Sequence, residues 1–185
     1  MAQQGSIGRR IESCINSYIT KDYESALVHL FPAIDKTGKL RRNKDGVGSR
    51  IKSFLCDEED LISFISINSI LKGIKFDDYT FPEAIYKFGR TSIMHEGELD
   101  PRLIIGENID LSIGRVWQLP STYILGMALC VILAPENSEE FLREDKMMTV
   151  HSFKHNINSL WGKSAEFRAR INKNLQDEGY PYSFL

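Results

Sequence analysis

Apolar residues recur at helical spacing along most of this chain. Ile7, Ile11, Cys14, Ile15 and Tyr18 form one stripe, which predicts a helix over residues 7–19. Residues 22–39 carry a wider apolar face from Ala26, Leu27, Leu30, Phe31 and Ile34, with Pro32 expected to bend that helix. A short helix over 51–56 and a second over 58–70 follow, the latter weakened by its β-branched end. Phe81-Pro82-Glu83 opens another helix, because proline suits a first turn and Glu83 complements the dipole; Gly97 is its natural stop.

The period changes beyond residue 102. Leu103-Ile104-Ile105 and the alternating Ile109, Leu111 and Ile113, joined by Gly106-Glu107-Asn108, predict a half-exposed β-hairpin. Pro120 opens an apolar helix that Pro135 closes, and residues 138–148 and 156–175 read as amphipathic helices. The expected class is mainly α, one domain over residues 1–185, with a β-hairpin insertion.

Composition refines this picture little. Cys14, Cys56 and Cys130 lie singly, without zinc or disulfide spacing, which favours a reduced, cytosolic (cytoplasmic) protein; no metal or other cofactor is expected. Residues 1–8 lack the apolar core of a signal peptide, and the most apolar run, 123–134, is too short to span a bilayer. A net charge of −2 gives no global basic field. Between residues 35 and 52, however, seven basic residues face two acids. The loop expected over 40–48, with Lys39, Arg41, Arg42 and Lys44, is either a solvated face or a set of phosphate-backbone contacts. The run Asp57-Glu58-Glu59-Asp60 then reverses the sign, as expected of acids at a helix N-terminus.

Four histidines are candidates for chemistry. His29 falls on an apolar helix, as a satisfied core or interface histidine would. His151 and His155, one helical turn apart, have no third metal ligand and read as surface residues. His95 is different, because Arg90 precedes it by five positions: a permanent cation able to neutralise a phosphate beside a group able to move a proton near neutral pH. On an ideal helix five residues leave the two side chains about 140° apart. A shared site therefore needs the reach of the arginine, a distorted turn or a second chain.

The stretch Tyr86-Lys87-Phe88-Gly89-Arg90-Thr91-Ser92-Ile93-Met94-His95-Glu96-Gly97 resembles the Arg-x-x-x-x-His motif of HEPN domains, an α-helical family that includes many metal-independent endoribonucleases. Residues 22–39, residues 47–55, Leu119-Pro120 and Ala134-Pro135-Glu136-Asn137 are also similar to that group. The resemblance covers about residues 15–140 and is sharpest over 83–99. One position departs: many catalytic members carry asparagine or another strongly polar residue after the arginine, where this chain has Thr91.

The resemblance implies a HEPN-like helical bundle. It also implies attack of an RNA 2′-hydroxyl on the adjacent phosphorus, leaving a cyclic phosphate, with His95 handling the proton and Arg90 the phosphoryl charge. Thr91 and Glu96 are supporting candidates. Such proteins commonly form homodimers with two motifs in one cleft, and often pair with an antitoxin in bacterial defence. The alternative is a catalytically silent helical module that binds a nucleotide or protein partner.

Overall fold

Helix α1 (Ser6–Ile19) has no capping side chain of its own. Its first amides, those of Ile7 and Gly8, donate instead to the two Glu140 carboxylate oxygens at 3.3 and 2.7 Å. A carboxylate from late in the chain thus satisfies orphan donors and complements the dipole at the start. The computed structural model describes residues 3–151, 153–177 and 179.

Helix α2 (Tyr23–Arg41) begins at Asp22, whose side chain accepts from the Ser25 amide at 3.0 Å, and packs against α1. Pro32 does not break it. Both Pro32 and Val28 are exposed, so the carbonyl that proline leaves without a partner faces the solvent side. The helix also runs two residues further than its apolar face suggests, so residues 40 and 41 are helical and the connecting loop is confined to 42–46.

Helix α3 (Val47–Ile67) joins what the sequence pattern divides into two. Asp57-Glu58-Glu59-Asp60 therefore stands mid-helix, not at an N-terminus, where the dipole offers it nothing. Asn68, in left-handed conformation, ends the helix. Against α3 lies α6 (Thr122–Leu133), apolar on nearly every side and almost wholly buried, as a central core helix must be. Gly126 permits this contact: a Cβ there would lie 2.5 Å from Ser66 Oγ and 2.8 Å from the Ile62 carbonyl.

The strands β1 (Lys75–Phe76) and β2 (Tyr79–Thr80) form a minimal hairpin. The helix that follows starts with a capping box, in which Glu83 accepts from the Thr80 amide and hydroxyl at 2.9 and 2.8 Å. It runs as α4 (Phe81–Ala84), a π-helical segment (Ile85–Thr91) and α5 (Ser92–Glu96), closing at Gly97 with φ of 84°.

The expected hairpin over 103–113 does not form. β3 (Leu103–Gly106) pairs in parallel with β4 (Trp117–Pro120), and Ser112 bridges Gln118 of β4 in antiparallel sense. Both apolar pieces pair with the same later strand and not with each other, because Trp117 and Leu119 carry the buried face.

Residues 138–148 are not helical either. β5 (Met147–Val150) and β6 (Phe153–Asn156) make an antiparallel hairpin, and the last helix, α7, begins only at Ser164 and runs to Asp177. The class is mainly α. No helix among the described residues is long and apolar enough to cross a membrane.

Candidate functional site

The π segment places the first half of the motif. Its wider turn re-phases the side chains between Ala84 and Ser92, a distortion often found at functional sites. Tyr86 is turned toward α3, where Gly48 leaves room for it: a Cβ on Gly48 would lie 2.8 Å from the Tyr86 hydroxyl oxygen. The Arg90 guanidinium lies 5.9 Å from the centre of the Tyr86 ring, and Lys52 of α3 brings its ammonium to the same 5.9 Å. Both distances are within the range of cation–π attraction. Two cations distant in sequence therefore converge on one half-buried phenol.

Arg90 is unusual among the half-buried arginines. Arg41, Arg42, Arg50 and Arg168 each reach a carboxylate, whereas Arg90 and Lys52 make no ion pair among the described residues. An aromatic face backs both charges, and Lys52 also acts through space on the Glu83 carboxylate.

His95 is exposed in the final turn of α5, beside exposed Met94 and Glu96. No hydrogen bond joins it to Arg90 among the described residues. The distortion anticipated from the angular argument is present, but on the arginine side of the motif and not in the last turn. Thr91 is differently placed: its hydroxyl is buried and has no hydrogen-bond partner among the described residues. A supporting role in which it touches an outside phosphate does not fit that burial. Ile93, adjacent to the motif, is also inside the protomer, so of this apolar pair only Met94 is presented outward.

The basic run separates into two groups. Lys39 and Lys44 are exposed and make no ion pair among the described residues. Arg41 is internal: Nη1 donates to Asp57 and Glu58 at 2.9 and 3.0 Å, and Nε donates to Glu136 at 2.8 Å. Arg42 donates to Asp57 at 2.9 Å. From α7, Arg168 completes the cluster through Glu58 at 2.8 Å and Asp60 at 3.2 Å. Burial disfavours the Arg41 cation, yet its carboxylate partners hold its pKa above the ordinary value. Arg41 and Arg42 thus tie α2 to α3 and are not free RNA contacts, a correction to the reading of the run as four surface cations.

The other histidines are structural. His29 lies 3.2 Å from Arg10 Nη1. His151 occupies the tip of the β5–β6 hairpin, with Nε2 3.0 Å from the Phe64 carbonyl oxygen, and His155 is buried against Phe167. They share a hairpin and not a helical turn. Among the described residues no cluster of three metal-ligating side chains occurs.

Together these features define a mainly α-helical protein with an aromatic-backed cationic site on a π-distorted helix. The chain belongs to the Rv1289 family, whose model matches residues 6–179. The uncharacterised protein Rv1289 of Mycobacterium tuberculosis is 23% identical over 190 residues, spanning 90% of this chain and 88% of its own. An uncharacterised protein of Mycobacterium bovis matches at the same identity and coverage. No solved structure matches the chain.

Proposed function

We propose that this protein is a HEPN-like helical bundle that acts on RNA without a metal, through Arg90 and His95. The observation that carries the reading is the convergence of Arg90 and Lys52 on the Tyr86 ring, neither of them in an ion pair among the described residues. A phosphodiester is the anion that such a site suits: Arg90 offers a planar fork of donors to the phosphoryl oxygens, and Lys52 adds a point charge. His95, exposed near the helix end, supplies the acid or base that moves the 2′-hydroxyl proton. The reaction leaves a cyclic phosphate and a free 5′-hydroxyl.

In this reading the active form is a homodimer, which brings a second motif to the same phosphate. The exposed Met94 lies on the face that would meet the other copy. A protein antitoxin is the partner that the resemblance suggests.

A second reading, a silent module that binds a nucleotide or protein partner, is favoured by the burial of the Thr91 hydroxyl and by the ion pairing of Arg41 and Arg42 within the protein. Incubation with total RNA in the presence of EDTA separates the two. Cleavage by the wild type that is lost by about 10²–10⁴-fold in Arg90→Ala and His95→Ala supports the first. Intact RNA after prolonged incubation with folded wild type supports the second.

A further inference from the structure

The π segment has a second flank. Phe88 packs against Tyr79 of β2 and under Arg102, and there it helps to line a cleft of about 290 Å³. The walls are aromatic, with Phe76, Tyr79, Phe88 and Trp117, and three charged residues stand among them: Asp77, Arg102 and Arg115. The volume lies at the lower end of small-molecule sites, which begin at about 300 Å³.

Arg102 is held as a flat platform. Its guanidinium carbon lies 4.2 Å from the centre of the Phe88 ring. Nε and Nη2 both donate to Asp100, at 2.9 and 2.6 Å, and the Asp100 amide donates to the Phe88 carbonyl at 3.0 Å. The fork fixes the plane and offsets the charge, while 48% of the side-chain surface stays open. A half-exposed guanidinium lying over an aromatic ring offers a stacking surface for a base.

The remaining charges stand apart. Asp77 and Arg115 are exposed and make no ion pair with each other or with another described residue. A carboxylate with two free oxygens matches adjacent N–H donors, the arrangement on the Watson–Crick edge of guanine. A single unpaired arginine matches one phosphate.

We propose that this cleft binds one guanine nucleotide unit: the base stacks on Arg102, its N1–H and 2-amino group donate to Asp77, and its phosphate meets Arg115. The unit is either free GMP or one unstacked guanosine of an RNA strand, since both present the same groups. The assignment does not rest on the cleavage reading and stands if Arg90 and His95 perform no chemistry.

The test is isothermal titration of the full chain with GMP, AMP and UMP, and with a 2′-O-methyl tetranucleotide containing guanine, which has no free 2′-hydroxyl to attack. GMP or the tetranucleotide should bind, with about tenfold preference for guanine over other bases. Binding by GMP identifies the free nucleotide as sufficient; binding by the tetranucleotide alone identifies the strand. Arg115→Ala should weaken binding of whichever ligand binds by about tenfold, and Asp77→Asn should abolish the guanine preference; both residues are exposed, and circular dichroism confirms folding. The double variant Arg90→Ala, His95→Ala should keep the wild-type preference for guanine with whichever ligand binds, which separates this site from the cleavage motif. Absence of binding by both GMP and the tetranucleotide at millimolar concentration overturns the proposal. So does binding that survives both cleft substitutions unchanged.

Discussion

Arg41 and Glu58 face each other across α2 and α3 at 3.0 Å, with only 18% and 9% of their side-chain surfaces exposed. Arg168 of α7 approaches the other oxygen of Glu58 at 2.8 Å. One buried carboxylate thus joins three helices, and removing either cation leaves charge stranded. Arg41→Ala or Arg168→Ala should destabilise the fold by about 3–5 kcal/mol in urea titration. A loss below 1 kcal/mol in both would mean that solvent reaches the cluster.

The exposed lysines behave otherwise. Lys39→Ser with Lys44→Ser should leave the melting temperature within about 2 °C of wild type, since exposed charges contribute little to stability. If they contact single-stranded RNA, the salt dependence of binding should flatten by about 0.7 in logarithmic slope per contact. An unchanged slope assigns both to a solvated face.

Tyr86 can be displaced without altering the motif. Gly48→Ala places a methyl where the nearest tyrosine atom is 2.8 Å away, so the ring that supports Arg90 must shift. RNA cleavage in the variant should fall by about tenfold or more, because small displacements of positioning groups are costly. Normal cleavage with a folded variant would show that the ring does not position the arginine.

The homodimer has a local test. Met94 is 60% exposed, whereas Ile93, at 8%, is already used within the protomer. Met94→Asp should shift a dimer toward monomer in light scattering at micromolar concentration, since a desolvated carboxylate opposes burial. A wild type that is monomeric there removes the shared-cleft arrangement.

Acid should weaken the fold partly through His155. Burial, and then the nearby Arg170, hold its pKa below the ordinary imidazole value. The unfolded chain therefore takes up the proton first as pH falls. The stability that neutral His155 contributes is present above the unfolded pKa of about 6.5 and is lost as pH falls below it. His155→Gln should have a shallower decline in stability between about pH 7 and pH 5. An equally steep decline in the variant would place the loss on other groups, among them His29, whose pKa is lowered by burial and Arg10.

Local pattern was sufficient for α1, for most of α2 and for the buried helix α6, because each has an apolar face or an apolar circumference that no other conformation could hide. The proline and glutamate of the motif helix's first turn and its glycine stop were legible for the same local reason, whereas the Thr80 cap was not singled out. The Arg90–His95 spacing was legible too. Tertiary structure alone decided the rest. Whether Asp57-Glu58-Glu59-Asp60 begins a helix or lies within one depends on Arg41, Arg42 and Arg168, which meet these acids only in the folded chain. Whether residues 103–113 fold on themselves depends on β4, a later segment that offers a more deeply buried edge. Lys52 and Tyr86 lie 34 positions apart in the chain, and no periodicity relates them. They meet because the packing of α3 against the π segment leaves space over Gly48, and burial of apolar surface, which has no sequence range, sets that packing.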